Sequence, residues 1–273
     1  MQLTNDNQSI TAAREPLGRL QADFLARAGS LGVFSRRDAE RLLGDGSERT
    51  VREFLSELRR RGWIARVKPG LYAVIPLSSG AARTPQLHEY VVAMRLVEPV
   101  AIAFFSAMNY HGLTEQLPRQ VFVATDHKVT RTTRESLGFT FRIIALRPGR
   151  FFGLRTEWIN ESPFQVTDLE KTVIDGLVLP QYVGGIGFIA QALAHSWPRI
   201  DETRLFDYAV RIGVSAVVKR LGFLLEALRL GNPETLRRAV PLATGYPLLD
   251  PTLPAAGTHS RRWGLQVNAK VEP

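Results

Sequence analysis

Residues 34–74 leave this chain few choices of fold. Ser35 suits the N-cap of a short helix over residues 36–43, because its hydroxyl can accept from a backbone N–H that the helix leaves unpaired. Gly44-Asp45-Gly46 ends that helix with residues that tolerate unusual backbone angles. Ser47 then caps a second helix, in which Val51, Phe54, Leu55 and Leu58 recur at helical spacing. Arg49, Arg52, Glu53, Ser56, Arg59 and Arg60 are left on its outer face, and Gly62 ends it. Residues 63–67 and 71–75 are two β-prone runs joined by Lys68-Pro69-Gly70, a hairpin with turn residues where they are needed. Upstream, residues 16–28 form one more helix, with Leu17, Leu20, Phe24 and Leu25 at helical spacing after a proline suited to a first turn.

Helix, helix, tight turn, cationic helix and basic hairpin is the order of a winged helix-turn-helix. The plainer reading is an α+β fragment whose arginines form a solvated face. A glycine turn of the right length, a cationic outer face and a wing occurring together favour DNA as the partner. The candidate DNA-binding residues are Arg36, Arg37, Ser47, Arg49, Thr50, Arg52, Ser56, Arg59, Arg60, Arg66 and Lys68. Arg49, Thr50 and Arg52 occupy the first turns of the second helix, where recognition helices meet base edges.

The chain has 273 residues, more than one winged helix needs, so a second domain is expected. Lysine and arginine total 35 against 26 acidic residues, a formal charge of +9 that suits a polyanionic partner. There is no cysteine, which excludes disulfides, thiol nucleophiles and thiolate metal sites and suits a reducing cytoplasm. Residues 1–15 are polar, lack the apolar core of a signal peptide, and read as a disordered leader. Residues 16–76 make the DNA-binding domain, residues 77–86 a linker rich in Pro, Gly, Ser and Ala, and residues 87–273 a C-terminal domain.

In that C-terminal part, residues 88–97 and 105–111 read as helices, and 121–125, 139–145 and 155–158 as strands. Helices follow over 168–179, 188–195, 201–212 and 215–228, the first opened by a capping box of Thr167 and Glu170. The tail beyond Gly231 keeps Tyr246, Leu248, Leu249, Trp263, Leu265 and Val267, and should pack back on the domain. The fold class is therefore α+β, an N-terminal winged helix-turn-helix followed by a larger mixed α/β domain. Residues 172–194 have the length of a membrane span, but Asp175, Pro180 and Gly184-Gly185-Ile186-Gly187 interrupt them, against ~20 unbroken apolar residues for such a helix.

Catalytic patterns are poor. The five histidines show no metal-binding spacing, and Ser106 lacks a nucleophile elbow. The glycine cluster at 184–187 lacks both phosphate-binding signatures. Asp126, Glu157 and Asp168 could be imagined as a nuclease carboxylate set, but their spacing does not ask for it. The expectation is no enzyme, no metal and no cofactor. Arg211, Lys219, Arg237 and Arg238, on C-terminal helices, are candidates for a second DNA contact.

Five segments also resemble a known family. Lys68-Pro69-Gly70-Leu71-Tyr72 is similar to the basic wing of AbiEi-type antitoxins. Ser106-Ala107-Met108-Asn109-Tyr110-His111-Gly112-Leu113-Thr114 resembles that family's S-A-L-x-x-H-G-L-T segment. Residues 167–175 resemble its E-R-T-x-x-D helix, with Lys171 where arginine is usual. Arg220-Leu221-Gly222-Phe223-Leu224-Leu225-Glu226 resembles its R-L-G-[FY]-L-x-E helix, and Arg262-Trp263-Gly264-Leu265-Gln266-Val267-Asn268 its closing strand.

The resemblance implies a cytoplasmic antitoxin of a bacterial type IV toxin–antitoxin pair. Its winged helix would repress its own operon at inverted repeats in double-stranded DNA. Its C-terminal domain would counter a nucleotidyltransferase toxin, usually without a stable complex and with no membrane involved. Glu170, Asp175 and Gly222 read better as polar and close-packed anchors of a core than as a reactive site. Two other classes stay open: a ligand-responsive winged-helix regulator, and a nuclease carrying a DNA-targeting domain.

Overall fold

The computed structural model describes residues 17–44, 48–76, 87–160, 162–239 and 244–271. Pro16, Ser47, the leader at 1–15 and the linker at 77–86 lie outside them. The chain divides into two compact units, one of residues 1–88 with Ser136–Gly138, the other of the remainder.

The first unit begins with α1 (Arg19–Gly29), followed by β1 (Val33–Ser35), α2 (Arg36–Leu43) and α3 (Glu48–Arg60), then β2 (Ile64–Lys68) and β3 (Leu71–Val74). Its three strands are antiparallel in the order β1-β3-β2, with Phe34 opposite Tyr72 and Arg66 opposite Tyr72 on the other side. α2 starts where it does because Ser35 and Asp38 cap each other. The Ser35 hydroxyl accepts from Asp38 N–H, and Ser35 N–H and Oγ–H donate to Asp38 Oδ2 at 2.8 and 2.7 Å. Those bonds hold the Asp38 carboxyl below its usual range. The apolar stripe of α3 meets α1 and the sheet in one core of Phe24, Phe34, Val51, Leu55, Leu58, Trp63 and Ile64. Phe24 stands edge-on to both Phe34 and Phe54, with ring centres 5.6 and 5.2 Å apart. Arg61 is nearly buried and donates to Gln21 and Glu57, tying the end of α3 back to α1.

Beyond residue 88 the chain builds a six-stranded mixed sheet in the order β6-β7-β5-β4-β9-β8. These strands are β4 (Ala101–Ile102), β5 (Val121–Thr125), β6 (Thr133–Ser136), β7 (Phe139–Ala145), β8 (Leu154–Ile159) and β9 (Ser162–Thr167). β5 runs parallel to β7 and β4 parallel to β9, while β8 and β9 form an antiparallel hairpin. Two helices are threaded among the strands, α4 (Glu89–Ala93) and α5 (Phe104–Tyr110). Then come α6 (Leu169–Val178), α7 (Ile186–Ser196), α8 (Glu202–Arg211), α9 (Ser215–Leu228) and α10 (Pro233–Ala239), and a small hairpin of β10 (Thr258–Ser260) and β11 (Leu265–Val267). One apolar core runs through α6 to α9 and includes Val173, Leu177, Ile189, Leu193, Leu221, Leu224, Leu225, Trp263 and Leu265. No helix among the described residues is long and apolar enough to cross a membrane.

Polar side chains stitch this core together. Asp168, rather than the expected Thr167, caps α6: its side chain accepts from Lys171 N–H, while Thr167 closes β9. Glu170 does not reach back to that cap. It accepts from Asp201 N–H at 2.8 Å and so anchors the start of α8. Lys171 and Asp175 form a buried ion pair one helical turn apart, with the ammonium also 4.8 Å from the Phe152 ring centre. Burial raises the Asp175 carboxyl despite that lysine. Burial and the Asp168 carboxylate push the Tyr208 hydroxyl up to about 12, so it stays a donor to Asp168 Oδ2 at 2.9 Å.

The tail does pack back. Trp263 is buried against Gly222, and its indole N–H donates to Glu226 at 2.7 Å. Arg220 donates to the carbonyls of Leu177 and Leu248, and Asp250 accepts the N–H of Ile186 at the start of α7. Asn268 exchanges two hydrogen bonds with the Asp250 backbone.

Candidate nucleic-acid interface

Burying Val51, Leu55 and Leu58 obliges the other side of α3 to face water. Arg49, Thr50, Arg52, Ser56, Arg59 and Arg60 are all exposed there. Glu53 shares that side and forms an ion pair with Arg49, Nε to Oε1 2.9 Å, between side chains 82% and 65% exposed. Such a pair contributes little and is readily exchanged. Arg36, half-buried at the start of α2, meets Glu48 at 2.6 Å, and Arg37 next to it is exposed. Arg37, Arg52, Arg59 and Arg60 have no hydrogen-bond or ion-pair partner among the described residues, so their donors are open to an anion.

The wing turns at Pro69-Gly70, where Gly70 takes a left-handed φ of 77°. The Gly70 carbonyl accepts from Arg36 N–H at 3.1 Å, which pins the wing tip to the first turn of α2. The ladder shifts register between Arg66 and Lys68, leaving Arg66 exposed and Lys68 half-buried on the wing. Within this one unit, then, ten of the eleven expected residues sit on α2, α3 and the wing, and Ser47 lies outside the described residues.

The second cationic group does not assemble as expected. Lys219 is buried, 1% exposed, and donates to the carbonyls of Gly245 and Gly264 at 2.7 and 3.1 Å. Burial lowers its ammonium pKa. It is a structural anchor of the tail and cannot touch a phosphate. Arg211 is exposed but lies over Phe152, 3.9 Å from the ring centre, and Arg237 pairs with Glu234 at 3.7 Å. Arg238 is exposed at the end of α10.

His111, Ser106 and Asp168 each take a structural role. His111 ends α5 and donates Nε2–H to the Thr167 carbonyl at 2.7 Å, and burial lowers its pKa. Ser106 accepts from Phe122 N–H at 2.9 Å. Asp168 caps α6 and Glu157 lies on β8. Among the described residues no group of three or more His, Asp or Glu is placed to hold a metal ion.

Residues 21–75 match the model of a family described as transcriptional regulator, AbiEi antitoxin. That segment takes in nearly all of α1, both helices of the turn motif and the whole wing. No curated protein matches the chain. Among solved structures, the chain resembles the crystal structure of the RV2827C protein from Mycobacterium tuberculosis, with a TM-score of 0.66 and 13% identity. The similarity covers 93% of this chain and 92% of that one, so the two share a fold along nearly their whole length.

Proposed function

We propose that this protein is the DNA-binding antitoxin of a type IV toxin–antitoxin pair. In this reading residues 16–76 repress the protein's own operon at inverted repeats, and residues 87–273 counteract a nucleotidyltransferase toxin in the cytoplasm without a stable complex. In this reading the protein acts by binding rather than by catalysis. The observation that carries the DNA half is the exposed arginine face of α3 beside a basic wing, within the segment that matches the regulator family.

α3 enters the major groove with Arg49, Thr50 and Arg52 towards the bases. Arg59 and Arg60 at its far end, with Arg36 and Arg37 on α2, meet phosphates, and Arg66 and Lys68 meet the backbone or minor groove beside them. Counterions released from the phosphates supply most of the affinity, and base contacts supply the register. The antitoxin half rests on the family match at 21–75 and on the four motif-like segments of the C-terminal unit.

Two measurements test the reading. In a mobility-shift assay, the full chain should retard DNA from upstream of its own gene at salt concentrations where unrelated DNA runs free. Equal retardation of both would remove sequence-specific repression. In cells, the protein should restore growth when the nucleotidyltransferase-like product of the adjacent gene is induced, and growth arrest at normal protein levels would remove the antitoxin role.

A further inference from the structure

β8 ends the six-stranded sheet, and among the described residues no strand pairs with its outer side. It is six residues long, its register with β9 runs without a shift, and it carries Trp158, 63% exposed. An unbulged edge of this length with an exposed tryptophan is a template for another strand unless something covers it. The groups that point outward follow from the pairing with β9. Trp158 lies opposite Pro163, which has no N–H, so that pair cannot exchange two ladder bonds. Alternation then makes Leu154↔Thr167 and Thr156↔Gln165 non-bonded pairs too, while Gly153, one position further on, accepts from Asp168 N–H at 2.8 Å. The backbone N–H and C=O of Leu154, Thr156 and Trp158 therefore face away from β9.

From this geometry we infer that β8 pairs antiparallel with β8 of a second copy of the chain, about a two-fold axis through Thr156. Only that centre brings the outward groups of Leu154, Thr156 and Trp158 onto one another and also satisfies the charges. It sets Arg155 of each copy opposite Glu157 of the other, at the non-bonded positions where facing side chains approach most closely. Within one chain these two side chains already lie 3.5 Å apart on one face of the strand, 63% and 30% exposed. On the other face, Trp158 of each copy covers Leu154 of the other, and the two Thr156 side chains meet. A centre at Leu154 or Trp158 gives neither charge pair. The arrangement is self-complementary, as a two-fold interface must be. It stands whether or not the winged helix reads DNA.

Sedimentation of the full chain over a concentration series tests this. Wild type should pass from monomer to dimer as concentration rises. Arg155→Glu places glutamate against glutamate, and Glu157→Arg places arginine against arginine, so each variant alone should stay monomeric. Mixed in equal amounts they should form a heterodimer, because every facing pair is then opposite in sign, and the double variant should dimerise again. Trp158→Glu, at an exposed position where folding is not at stake, should also shift the equilibrium towards monomer. A wild type that stays monomeric throughout, single variants that still dimerise, or a mixture that fails to associate would each overturn the assignment.

Discussion

Arg49 and Arg52 lie on the same face of α3 but start from different states. Arg49 is engaged by Glu53 and must give up that pair to reach a base, whereas Arg52 has no such partner to leave among the described residues. A bidentate arginine–guanine contact discriminates by about 1–3 kcal/mol. The exposed Arg49–Glu53 pair is readily exchanged, so Arg49→Ala and Arg52→Ala should each weaken binding to the native promoter and lose sequence preference. Fluorescence anisotropy at one fixed salt concentration checks this, and wild-type binding by both would show that α3 is not the reading helix. A second residue tests packing rather than recognition. A Cβ on Gly222 would lie 2.0 Å from the Trp263 ring, so Gly222→Ala must displace the indole that closes the tail. Overpacking of this kind costs about 1–3 kcal/mol. Each kcal/mol lowers Tm by roughly 2–4 °C in a domain of this size, which calorimetry would resolve.

Elements with strong local signals were legible in the amino-acid sequence, and those defined by distant partners were not. α2 begins at its Ser35 cap, α9 follows its apolar stripe, and β5 and β7 match their β-branched runs. β1 escapes a sequence reading because three residues carry no periodicity, although pairing with β3 completes the winged sheet. β9 escapes because Pro163 signals a break, and only its place opposite Trp158 makes a proline tolerable there. Lys219 misleads because one lysine beside an apolar stripe looks like the edge of an exposed face. Its burial is set by carbonyls at Gly245 and Gly264, far along the chain.

The α2 cap yields a pH prediction. The folded-state pKa of Asp38 is depressed, so its contribution is present above the ordinary carboxylate range and is lost as pH falls through the depressed native value. Ser35→Ala removes the principal cause and should cost about 0.5–2 kcal/mol at neutral pH. Thermal melts should show the gap to wild type closing in acid, and a gap independent of pH would show that the carboxylate is not part of the cap. The wing makes a different prediction. If Arg66 and Lys68 each neutralise one phosphate, every contact removed should flatten the log K against log[salt] slope by about 0.9, with little change in sequence preference. An unchanged slope in the double alanine variant would place the wing off the DNA.

At the scale of the whole molecule, the two compact units have separate cores, one gathered around Phe24, Phe34 and Leu55, the other around α6 to α9. Separate cores permit separate tasks. The arginines proposed to read DNA all belong to the first unit, while the motif-like segments around His111, Asp168, Arg220 and Trp263 are spent on holding the second unit together. Toxin neutralisation should then survive loss of DNA reading. A full-length variant with both Arg49 and Arg52 replaced by alanine, expressed from an unrelated promoter, should fail to repress a reporter under the native promoter. It should still restore growth to cells in which the toxin is induced. If pairing through β8 also serves repression, Arg155→Glu should weaken binding to a two-repeat promoter more than to a single repeat, because a two-fold dimer links the two contacts that an inverted repeat offers. It should leave rescue intact. Growth arrest in cells holding normal levels of the Arg49, Arg52 double variant would mean that the same arginines act against the toxin, and would remove the division of tasks between the two units.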